Sequence, residues 1–95
     1  MLTSTETRNT RRELRENFER LGYPMDRVAR ATEMTEDEVQ AVLDMQGAWP
    51  SQVWELRDYL EDMLDAEGIE MEPFTALADH GANRWYCYET PWRDR

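Results

Sequence analysis

Apolar residues recur along this chain at helical spacing, and polar punctuation separates the runs. Leu14, Phe18 and Leu21 fall at i, i+4 and i+7, which puts them on one face of a helix. The spacing predicts a first helix from about Thr5 to Leu21. Thr3 and Glu6 stand ahead of it in capping-box register, where side chain and backbone exchange hydrogen bonds, and Gly22 suits the exit. Pro24 suits the first turn of a second helix near Met25 to Ala31, because that turn leaves its N–H groups unpaired anyway. Thr35 with Glu38 forms a second capping box and opens a third helix through Met45. Glu36, Asp37 and Glu38 favour the positive end of its dipole, and Gly47 is expected to end it. Pro50 opens a fourth helix that reaches Glu67, with Val53, Leu56, Leu60, Met63 and Leu64 as its apolar stripe.

The periodicity stops after Gly68. Pro73 predicts a short helical turn through Leu77 or Ala78, and Asp79 to Asn83 reads as loop. The stretch RWYCYETPW, Arg84 to Trp92, is aromatic and has strand-like propensity through Trp85, Tyr86, Tyr88 and Trp92. A single short strand needs a partner. It is expected to pack across the helices or to pair with its copy in a homodimer. The fold class that follows is all-α: a four-helix core over about residues 5–67 and an extension over 68–95 whose aromatic tail is a candidate short strand. The whole, 1–95, is expected to be one domain, since 95 residues bury one modest core.

Charge changes the picture. The net charge is −10, and every basic residue is Arg. Residues 1–31 carry seven Arg and five acids; residues 32–72 carry thirteen acids and the single Arg57. Such a field opposes nonspecific binding to nucleic acid and to anionic lipid. No apolar run is long enough to span a membrane, the polar start is unlike a secretory signal, and Cys87 is the only cysteine. A cytoplasmic location without a membrane partner is the expectation.

The second and third helices fit a twenty-residue helix-turn-helix frame that starts at Met25. Val28, Met34, Val39 and Val42 then occupy its apolar positions, and Ala29 its small one. This pattern resembles lambda-repressor-like and Cro-like domains. Glu33 stands where glycine usually forms the left-handed turn, so a strained or lengthened turn is expected. The wider order, with WELRDYLED at Trp54 to Asp62, EPFTAL at Glu72 to Leu77 and the RWYCYE tail, resembles a small bacterial family of unknown function with a helix-turn-helix-like core. That resemblance implies the fold and no established activity.

In the repressor frame, Thr35, Gln40 and Ala41 are the candidate DNA-reading residues. Gln40 suits adenine and Ala41 a thymine methyl. Glu36, Asp37 and Asp44 share that face and would meet phosphate with like charge, and the third helix has no cation of its own. The basic stripe Arg8, Arg11, Arg12 and Arg15 is the candidate contact for phosphate or for an acidic partner. Local pairing of Arg12 with Glu16 and Arg15 with Glu19, or pairing across an interface, is favoured over nucleic acid. On the fourth helix Asp58, Glu61, Asp62 and Asp65 share a face, read as solvated rather than cation-binding because a straight helix does not enclose an ion.

His80 and Cys87 stand alone, the glycines are scattered, and no carboxylate pair is marked as acid and base. The expectation is therefore no catalytic residue, no metal and no cofactor. The favoured function is a non-enzymatic, regulatory helix-turn-helix-like protein acting through protein contacts. A homodimer is the self-partner version, with Trp85, Tyr86, Tyr88 or Trp92 at the interface. The alternative is a DNA-binding transcriptional regulator that reads duplex DNA with the third helix, about Thr35 to Met45.

Overall fold

A computed structural model describes residues 2–77 and 88–94. Four α-helices follow in order: α1 Ser4–Leu21, α2 Met25–Thr32, α3 Glu36–Asp44 and α4 Pro50–Glu67. A short 3-10 turn, Pro91–Asp94, comes after them, and the described residues contain no strand. Among the described residues, no helix is long and apolar enough to cross a membrane.

Both capping boxes form. The Glu6 N–H donates to Thr3 Oγ1 at 3.1 Å and the Thr3 N–H to Glu6 Oε1 at 2.9 Å. Thr35 and Glu38 repeat the exchange at 3.0 and 2.8 Å. Bonds from the capping backbone hold both glutamates below the usual carboxylate range. Gly22 ends α1 at φ 72, its N–H donating to the Phe18 carbonyl. The third helix stops at Asp44, with Met45 already left-handed at φ 52, two residues before Gly47.

The α2–α3 turn keeps its length without glycine. Glu33 itself adopts the left-handed conformation, φ 57 and ψ 34. Its N–H donates to the Arg30 carbonyl at 3.3 Å, and the Met34 N–H reaches back to the Ala29 carbonyl at 3.0 Å. These bonds satisfy carbonyls that the helix end leaves open. They hold a conformation that costs a side chain with a Cβ about 1–2 kcal/mol. Thr32 extends α2 by a turn position and is buried, because its hydroxyl donates to the Val28 carbonyl at 2.8 Å.

α4 is the central helix. It packs against α1, α2 and α3, and every residue from 53 to 60 is buried. Leu14, Val28, Val39, Val42, Leu56, Leu60 and Leu64 make the middle of the core, with Ala29 beside them and Phe18 partly covered. The apolar stripe of α4 therefore faces its own chain; only Met63 is half-buried.

No helix forms at Pro73; the chain after Gly68 has no regular structure through Phe74, bends at Thr75 and makes a turn at Ala76 and Leu77, where the expected turn was to end. Side chains on α1 hold this segment. Asn17 accepts from the Glu72 N–H at 2.7 Å and donates to the Glu72 carbonyl at 3.0 Å. The buried Glu13 accepts from the Thr75 N–H and hydroxyl at 3.1 and 3.0 Å. Arg20 donates to the Glu70 carbonyl at 2.9 Å. These bonds tie residues 70–75 to α1, and Phe74 and Leu77 are delivered to the core.

Truncating Val39 to Ala should cost about 1–3 kcal/mol, the loss expected for a fully buried aliphatic made smaller. Urea denaturation of the two proteins measures it; a difference near zero would contradict the placement of Val39 in the core.

Candidate functional site

Thr35 is spent on capping α3, where its hydroxyl accepts from the Glu38 N–H. Gln40 is exposed but donates to Asp44 Oδ1 at 3.2 Å. Ala41 is half-buried, and its carbonyl accepts from the Gln46 N–H at 3.0 Å. Asp44 also pairs with Arg15 of α1. The outer face of α3 is thus linked to the basic stripe within the chain. Glu36 and Asp37 remain exposed on it.

The basic stripe pairs differently from the local expectation. Arg15 reaches across to Asp44 instead of bonding Glu19, and Arg12 lies 3.5 Å from Glu13. The i, i+4 pair that forms on α1 is Glu16 with Arg20, at 2.9 Å. Arg8 stays exposed and Arg11 half-buried.

The acidic face of α4 corrects a second expectation, because most of it is not solvated. Asp58 and Arg57 are 1% and 3% exposed and pair at 3.0 Å. Arg57 also meets Glu61 at 3.0 Å, donates to the Leu77 carbonyl at 2.9 Å, and lies 5.2 Å from the Phe74 ring centroid. Asp62 accepts from the Trp92 indole at 2.8 Å and from Arg93 at 2.7 and 3.3 Å. Burial raises the Asp62 carboxyl, but the Arg93 and Trp92 bonds outweigh it and hold the group below its usual range. Asp65 is the exposed member.

The face that looked like a solvated surface is a ledge for the C-terminal segment. The Tyr88 hydroxyl donates to Asp58 Oδ2, and burial with that bond pushes the phenol up to about 12. Trp92 is buried edge-on against Tyr59, centroids 5.2 Å apart. Of the four aromatics expected at an interface, Tyr88 and Trp92 pack on their own α4. Trp85 and Tyr86 lie outside the described residues, as do Cys87 and His80. The expected strand is not formed in its described part, residues 88–92, where Pro91 instead begins the 3-10 turn.

A further feature lies at the α3–α4 connection. Trp49 is 72% exposed, the one exposed large hydrophobic among the described residues. A cavity of about 400 Å³ opens beside it, lined by Leu2, Met45, Ala48, Pro50, Trp54 and Leu77 among others. The Trp49 N–H donates to Gln52 Oε1 at 3.0 Å, and Gln52 donates to Glu38 at 2.8 Å, which ties the connection to α3. The available signal was that Trp49 falls outside the apolar stripe of α4 yet directly abuts Pro50. Among the described residues, no three His, Cys, Asp or Glu side chains are grouped to hold a metal.

These observations define an all-helical protein with two surface features: an acidic ledge occupied by its own C-terminal segment, and an aromatic knob beside a cavity lined by apolar residues together with Glu6 and Thr7. The chain belongs to a family of uncharacterized proteins conserved in bacteria (DUF2316), whose family model matches residues 1–88. Neither the search of curated proteins nor that of solved structures returned a match.

Replacing Arg57 with Leu should cost about 3–5 kcal/mol, as expected when one partner of a buried ion pair is removed. Urea unfolding measures the loss. Replacing Asp58 with Leu as well should recover part of it, so a double variant less stable than Arg57→Leu would contradict the pairing.

Proposed function

We propose that this chain is a non-enzymatic, helix-turn-helix-like regulatory protein that acts through protein contacts, and that its partner is a second copy of itself. The observation that carries this reading is Trp49 beside its cavity. Trp is favoured at the buried centre of protein interfaces. Here a projecting side chain and a hole flank one another on the same connection, because Ala48 and Pro50, the neighbours of Trp49, line the cavity. A two-fold dimer needs such a self-complementary patch, in which each copy inserts the knob and offers the hole. The tight α2–α3 turn and the buried Val28, Ala29, Val39 and Val42 support the helix-turn-helix part of the reading.

Support for duplex DNA as the partner is weaker. Arg15, the basic-stripe member that reaches α3, is engaged by Asp44. The exposed Glu36 and Asp37 would approach phosphate with like charge.

Sedimentation equilibrium at micromolar concentration tests this proposal. The expected result is a dimer mass for the full chain and a monomer mass for a folded Trp49→Ser variant. A monomer mass for the unaltered chain, or a dimer unaffected by Trp49→Ser, would defeat it.

A further inference from the structure

Glu55 lies on α4 one turn before Asp58 and two before Asp62, on the same face of the helix. Asp58 and Asp62 hold residues 88–93, the C-terminal strap, through Tyr88, Trp92 and Arg93. Glu55 has no such partner. It is 8% exposed, and its Oε2 is buried without any hydrogen bond. A buried ionised oxygen without a donor is among the most costly arrangements a protein can hold.

The surroundings make ionisation harder still. The strap contributes Glu89, the turn after α2 contributes Glu33, and α3 contributes Glu38, so all three are acids. On α4 itself the nearby cation Arg57 is committed to Asp58, Glu61 and the Leu77 carbonyl. Burial first, then Glu89, Glu33 and Glu38, raise the Glu55 carboxyl from 4.5 to about 7.

We propose that Glu55 is a proton-operated latch for the C-terminal strap: protonated, it lets the strap close on α4; ionised, it repels Glu89 and loosens it. The direction follows from linkage. The folded protein holds this proton more tightly than the unfolded chain, so the contribution to stability is fully present below pH 4.5. It is lost as pH rises through about 7. One proton is involved, so the folding constant changes by at most about tenfold per pH unit within that window. Asp62, which titrates below the usual range, contributes nothing there. Release of the strap would uncover Tyr59, Asp58 and Asp62 near neutral pH, where small changes in acidity move the population most.

The test uses the full chain and its Glu55→Gln variant, which carries a neutral group of the same shape. Hydrogen exchange of the Trp92 indole N–H, corrected for its intrinsic pH dependence, reports the strap. The urea midpoint reports the whole fold. Between about pH 5 and about pH 8 the unaltered chain should lose protection and midpoint together, as expected for one group titrating across that window. Glu55→Gln should remove that dependence. Glu89→Gln, at an exposed position, should shift the loss of protection to lower pH and make it smaller, because without that acid the Glu55 carboxyl is raised less and its ionised form is repelled less by the strap. Equal pH dependence in the unaltered chain and Glu55→Gln would overturn the latch. Should Glu55→Gln fail to fold, a strap protection in the unaltered chain that does not vary with pH, or is unchanged by Glu89→Gln, overturns it equally.

Discussion

Arg57 is the interaction on which the rest of the arrangement depends. It is the single cation in a stretch of thirteen acids, residues 32–72, and it is buried. A buried guanidinium is tolerable only when its donors are fully used. Asp58, Glu61 and the Leu77 carbonyl take its Nε and one Nη, and two of these contacts lead beyond α4. The bond to Leu77 pins the segment that returns along α1. The pair with Asp58 sets the carboxylate that receives Tyr88. One side chain thus couples the central helix to both segments that follow it.

The polar groups of α1 complete this closure from the other side. Glu13, Asn17 and Arg20 lie at i, i+4 and i+7, and together they bind backbone at Glu70, Glu72 and Thr75. The result is a second amphipathic surface on α1 made of hydrogen bonds instead of apolar contacts. It places Phe74 beside Arg57, at 5.2 Å from the ring centroid. The family resemblance in the stretch Glu72 to Leu77 thereby gains a physical meaning: these residues form the bridge between α1 and the buried cation.

Charge has two roles here. Exposed acids such as Glu36 and Asp37 stay in water. Others, such as Asp58 and Asp62, are consumed by partners from distant sequence. Glu55 belongs to neither group, its buried Oε2 having no hydrogen bond. The proposed dimer surface at Trp49 and the proposed latch at Glu55 are independent, one resting on exposed apolar surface and the other on an unsatisfied buried carboxyl.

The sequence by itself determined the four helices and their caps. Capping boxes at Thr3 and Thr35, Pro50 at the start of α4 and the 3.6-residue stripes are local signals, and local hydrogen bonds decide them. The buried set Val28, Val39, Val42 and Leu60 was legible for the same reason. Only the tertiary structure decided what the acids and aromatics do. The Asp58–Asp62 face reads as solvated in sequence, because a period of 3.6 places charges on a face without saying what covers it. Residues thirty positions away, Tyr88 and Trp92, cover it. The segment around Pro73, expected as a short helical turn, is held by Asn17 and Glu13, more than fifty positions earlier. The exposure of Trp49 and the cavity beside it likewise depend on packing, whereas the left-handed turn at Glu33 was already marked by its place in the helix-turn-helix frame.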